Sequence, residues 1–142
     1  MEKYKKIFLI MIVLCFSAVC FAPGKAALPK YENAVINVLK RGPDGDMPLE
    51  LTEQENAELY AILGDIKGIY LPKLFAEYNY HGRTGYEISI DSEKAGDTSD
   101  VRFHIMIGLK GQPEHANFYY AGKDSFRSIV NPNDLTEYLK KL

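Results

Sequence analysis

The chain has 142 residues, 46% of them hydrophobic and 25% charged, with a formal net charge of −2. Length and balance fit one globular domain, and the charge argues against nucleic acid and anionic membrane surfaces as partners, both of which call for basic patches. Cys15 and Cys20 both fall within the first 26 residues, so no disulfide, thiolate metal site or thiol nucleophile is expected in residues 27–142.

Met1-Glu2-Lys3-Tyr4-Lys5-Lys6 gives a short basic start, and Ile7 to Ala22 is apolar apart from the hydroxyl of Ser17. This run of 16 residues suits the core of a secretory signal and is short of the ~20 residues a spanning helix needs. The expectation is a signal peptide over residues 1–26, cut with Gly24 at −3 and Ala26 at −1, because cleavage after Ala22 would place Pro23 at +1. Two alternatives stay open. The segment could be retained as an anchor, which is the one route to a membrane, or Cys20 could be lipidated, although Ser17-Ala18-Val19 suits a lipoprotein signal poorly. Residues 27–142 then form one domain that is secreted, periplasmic or held in the cell envelope. That domain has thirteen basic and eighteen acidic side chains, a net charge of −5.

Ala34-Val35-Ile36-Asn37-Val38-Leu39-Lys40 is rich in β-branched residues and runs into the turn signal Arg41-Gly42-Pro43-Asp44-Gly45-Asp46. Pro48-Leu49-Glu50-Leu51-Thr52 alternates after it, predicting a first hairpin. Tyr31, Ala34, Val35, Val38 and Leu39 also fit helical spacing, but the Val-Ile-x-Val run favours a strand. A helix is predicted over Glu53–Leu63, capped by Thr52 with Glu55 completing a capping box, and stopped by Gly64. Its buried stripe is expected to be Ala57, Leu59, Tyr60, Ile62 and Leu63.

Strands are predicted at Leu74–Tyr80 and Tyr86–Asp91 around the turn His81-Gly82-Arg83-Thr84-Gly85. Val101–Leu109 follows, with Val101, Phe103, Ile105, Ile107 and Leu109 on one face and Arg102, His104 and Met106 on the other. Asn117–Ala121 pairs with it across Lys110-Gly111-Gln112-Pro113-Glu114, and Ser125–Val130 comes last. Asn131-Pro132 caps and opens a helix through Leu142. The fold class expected is α+β, an antiparallel sheet of about five to seven strands with two helices on one face, preceded by an N-terminal signal helix.

Gly-x-Ser-x-Gly, Ser-x-x-Lys, His-Glu-x-x-His and Gly-x-x-x-x-Gly-Lys are absent from the sequence, so no catalytic residues are assigned. His81 and His115 fall in predicted turns and His104 on an outer strand face, a spacing that gives no metal site. The acidic loop Asp91–Asp100 aligns Asp91, Glu93 and Gly96 with calcium-loop positions. Ala95 and Arg102 stand where that loop needs ligands, so it reads as a solvated loop. Glu77 and Glu87 could face each other across a hairpin, and most simply they belong to a polar outer face. No cofactor is expected.

Nine of the ten tyrosines lie in residues 27–142. Tyrosine combines contact area with a polar tip and suits binding surfaces. Tyr78, Tyr80, Tyr119 and Tyr120 are the candidate binding residues, with Tyr119 and Tyr120 on opposite faces of their strand. The leading functional reading is an exported, non-catalytic binding module, such as an inhibitor, an immunity-type protein or an accessory subunit. Its expected partner is a protein or cell-envelope component. Two other readings remain: a small envelope-polymer hydrolase with unmarked carboxylates, and a ligand or metal carrier, which needs His81, His104 and His115 to converge.

Overall fold

The computed structural model describes residues 2–20, 22–71, 85–92, 100–107, 113–120 and 126–142. Helix α1 (Glu2–Cys20) is followed by strand β1 (Gly24–Lys25), a short 3-10 turn (Tyr31–Asn33), β2 (Ala34–Gly42), β3 (Gly45–Leu49) and helix α2 (Glu53–Asp65). Then come β4 (Lys67–Leu71), β5 (Gly85–Ser92), β6 (Val101–Ile107), β7 (Pro113–Tyr120), β8 (Phe126–Ile129) and helix α3 (Asn133–Leu139). The class is α+β. The eight strands among the described residues join one antiparallel sheet in the order β1-β4-β8-β7-β6-β5-β2-β3. Eight strands exceed the five to seven expected.

The β-branched run of residues 34–40 does become a strand, and β2 pairs with β3 from Val38↔Leu49 to Gly42↔Gly45. Pro43 and Asp44 make the turn, and Gly45 closes it at φ +118, a backbone conformation that glycine supplies without strain. Helix α2 begins as predicted. Glu55 N–H donates to Thr52 Oγ1 at 3.3 Å, and Thr52 N–H donates to Glu55 Oε2 at 2.8 Å. These donors hold the Glu55 carboxyl below its ordinary pKa, the Thr52 backbone contributing most. Gly64 does not stop the helix, which ends at Asp65 with Ile66 extended. An interior glycine costs only about 1 kcal/mol, and the helix runs two residues past Leu63, which is fully buried. Of the expected stripe, Leu59 and Leu63 are buried, Tyr60 and Ile62 half-buried, and Ala57 exposed.

From β3 at one rim, the chain must cross six strand spacings, about 29 Å, to reach β4. Thirteen helical residues supply about 20 Å of that distance, so α2 spans the sheet. It contacts α3 there, and Tyr138 donates from its hydroxyl to Glu55 O at 2.8 Å. Leu59, Leu63, Leu135 and Leu139 meet Val38, Ile88, Ile90, Val101, Phe103, Ile105 and Phe118 in one core. The Phe103 and Phe118 rings lie 5.5 Å apart.

Strand β4 has no counterpart in the predicted elements. Its glycine, Gly68, is a packing requirement. A Cβ there would stand 2.6 Å from Phe118 Cε1 and 2.8 Å from Arg127 Cβ, so only a bare backbone allows β4 to pair with β8. Asn131 does not cap α3. Its side chain accepts from Lys67 N–H at 2.8 Å and donates to Asp65 O at 3.2 Å, fastening β4 to the C-terminal end of α2. Pro132 is the N-cap, with no side-chain cap bond, and α3 ends at Leu139, short of Leu142. Pro113 and Glu114, expected in a turn, belong to β7, and so does His115. The predicted strand Leu74–Tyr80 and residues 81–84 of the turn after it lie outside the described residues, and Gly85, expected in that turn, opens β5.

Candidate functional site

Helices α2 and α3 cover one face of the sheet, and no helix among the described residues packs on the other. The register fixes what that other face displays. One cross-strand row runs Leu39, Glu87, His104, Asn117 and Ser128, and the next runs Asn37, Ser89, Arg102 and Tyr119.

Charges on this face are paired. Arg41 Nη2 lies 2.6 Å from Glu87 Oε2, and Arg41 Nη1 lies 3.3 Å from Asp46. Arg102 Nη1 reaches Asp91 at 2.6 Å, and Ser89 Oγ donates to the same carboxylate at 3.4 Å. Arg41–Glu87 and Arg102–Asp91 are diagonal across neighbouring strands, a separation that long side chains bridge, and Arg41 and Asp46 stand directly opposite each other. His104 Nε2 and Tyr119 Oη are 3.2 Å apart, and their rings are 5.3 Å apart at 45°. Burial pushes the His104 pKa down, Arg41 and Arg102 add to this, and Glu87 opposes it. The imidazole is therefore neutral at pH 7. Burial also raises the Tyr119 hydroxyl pKa, with Glu87 reinforcing and Arg102 opposing.

Two residues depart from a wet outer face. Met106 is 3% exposed and Asn117 is 7% exposed, so this face is partly sheltered around β6 and β7. Tyr119 and Tyr120 do lie on opposite faces. Tyr119 belongs to the helix-free side, whereas Tyr120 sits on the packed side near Phe118, with ring centroids 6.2 Å apart. Tyr120 accepts from Ala27 N–H at 2.8 Å, which ties it to the N-terminal segment. Tyr78 and Tyr80, with Glu77 and His81, are outside the described residues. No group of three or more His, Cys, Asp or Glu among the described residues could hold a metal ion.

The chain matches no family model, no curated protein and no solved structure.

Sequence reasoning singled out Tyr119 but missed Asn117, Arg41 and Arg102. Strict alternation along β6 and β7 places Arg102, Asn117 and Tyr119 on one face, and the register with β5 and β2 adds Glu87 and Arg41. That register is a long-range property, and no local signal in the sequence states it.

Helix α1 stands apart from this site. Side chains from Tyr4 to Cys15 are exposed all around it, and no helix among the described residues is long and apolar enough to cross a membrane.

Proposed function

We propose that the chain is exported and acts as a non-catalytic binding module of the bacterial cell envelope or extracellular space. It engages its partner, a protein or another envelope component, with the helix-free face of its sheet. The observation that carries this reading is the composition of that face. Tyr119 and His104 lie in contact, their rings tilted at 45°, beside arginines already paired with carboxylates, an arrangement suited to contact. Glu87, the carboxylate a hydrolase would use, is engaged by Arg41 at 2.6 Å. The export reading is supported by the basic start and apolar run of α1, whose side chains are left exposed, as a segment destined for a translocation apparatus would be.

The test is capture from native envelope and culture fluid, with the chain immobilised in the form the producing cell leaves it. Tyr119→Ala should lose the captured material, and Ala61→Arg, on the exposed side of α2, should keep it. Equal capture by both variants would rule out the helix-free face as the contact surface.

A further inference from the structure

The place where the export segment would be cut lies inside the folded domain. Cleavage after Ala26 asks for small residues at Gly24 and Ala26, on a stretch of chain free to enter the cleft of a peptidase. In the structure that stretch is engaged along its whole length. Gly24 and Lys25 form β1 and pair with Gly68 and Lys67 of β4. Lys25 Nζ lies 2.6 Å from Asp65 Oδ1 at the C-terminal end of α2. Ala26 is 8% exposed and belongs to the hydrophobic core, and its N–H donates to Ile66 O at 3.4 Å. Ala27 N–H donates to Tyr120 Oη at 2.8 Å. Leu28 packs against the core, and Pro29 O accepts from the Tyr60 hydroxyl.

The smallness that suits a peptidase also suits the sheet. A Cβ on Gly24 would stand 3.1 Å from Arg127 Nη1, and Ala26 is enclosed by core residues. Ala22 and Pro23 are exposed just upstream, so the chain enters the fold at the −3 position of the expected cut. A protease acts on the fraction of molecules in which its target segment has opened. In the folded chain, opening means lifting β1 from β4 and withdrawing Ala26 from the core. The partners of Lys25 and Ala27 follow them by 40 and 93 positions, so the same stretch is accessible until those partners are in place.

Resting on the export reading, we propose that the folded domain locks its own signal-cleavage site against a membrane-bound signal peptidase. The cut is a hydrolysis: water adds across the Ala26–Ala27 peptide bond, leaving a carboxylate on Ala26 and a new amino terminus on Ala27. A chain cut before it folds is released as residues 27–142, without β1. A chain that folds first keeps α1, whose side chains from Tyr4 to Cys15 are exposed, as an attachment to an apolar surface. The order of two events thus decides between a free and an attached form of one protein.

The test presents three substrates to a detergent-solubilised signal peptidase and follows the products by mass spectrometry. They are the full chain folded in micelles, a peptide of residues 15–34, and the full chain carrying Asp65→Ala and Tyr120→Phe. The peptide should be cut between Ala26 and Ala27, and the folded natural chain about tenfold more slowly or less. The double variant removes the partners of Lys25 and Ala27 without touching the sequence that the peptidase reads. It should be cut about threefold faster than the natural chain, or more. Equal rates for the peptide and the folded natural chain would overturn the lock and leave the export reading standing. A peptide left uncut would overturn the lock and the cleaved-signal reading together. A double variant as slow as the natural chain would show that the contacts of Lys25 and Ala27 do not hold the segment, and that also overturns the lock.

Discussion

Along β6, Val101, Phe103 and Ile105 point one way and Arg102, His104 and Met106 the other, on the same seven residues. The first set is fully buried under α2 and α3; on the second side Arg102 and His104 are half-buried and make specific polar contacts. The packed face is governed by volume, with rings and branched chains filling space left by helices. The helix-free face is governed by pairing, because each half-buried charge or hydroxyl needs a partner at hydrogen-bonding distance. Deleting atoms should therefore be costly on one face and mild on the other.

The comparison can be pressed with substitutions. Phe103→Ala should destabilise by about 3–5 kcal/mol, since it removes a fully buried ring that contacts Phe118. Chemical denaturation would measure this, and a loss under 1 kcal/mol would show the packed face to be loosely filled. Gly68→Ala should cost about 1–3 kcal/mol, because its methyl meets both Phe118 and the Arg127 stem. The rescue to seek is Phe118→Leu in the same chain, which should lessen that penalty. Arg41→Met is smaller, about 1 kcal/mol after allowance for the solvent that screens a half-exposed pair. It should shrink further in high salt.

His104 gives the helix-free face a pH signature. Its folded pKa is depressed, so the unfolded chain takes up the proton first as acidity rises. The contribution is fully present above the unfolded value of about 6.5 and is lost as pH falls toward the folded one. Melting temperature should fall between pH 7.5 and pH 5.5, and His104→Phe should flatten that dependence. Tyr119→Phe has the smallest expected effect on stability, within about 0.5 kcal/mol.

Local chemistry made much of the fold legible. The capping box at Thr52 and Glu55, the turn around Gly45 and the alternation of β6 each record a short-range physical need. Positions where the same residue type serves two needs misled the reading. Gly64 looks like a stop and lies inside α2, and Asn131 looks like a cap and serves as a clamp. Half of the site was legible for a similar reason. Tyr119 could be proposed from residue type and face, whereas Asn117 draws its interest from burial, which depends on elements distant in sequence.

The strand order has a consequence for the time course of folding. Strands β1 to β4, from the first half of the chain, occupy the two rims, and β5 to β8 form the unbroken meander between them. The β2–β3 hairpin and the short β1–β4 pair have no sheet to join until that meander is present, and the β4–β8 ladder closes over some sixty positions, as in Gly68↔Ile129. Such non-local closure is slow. A chain emerging from its N-terminus therefore stays without a core until nearly all of it is free, and it has a long interval in which to be threaded elsewhere before it folds.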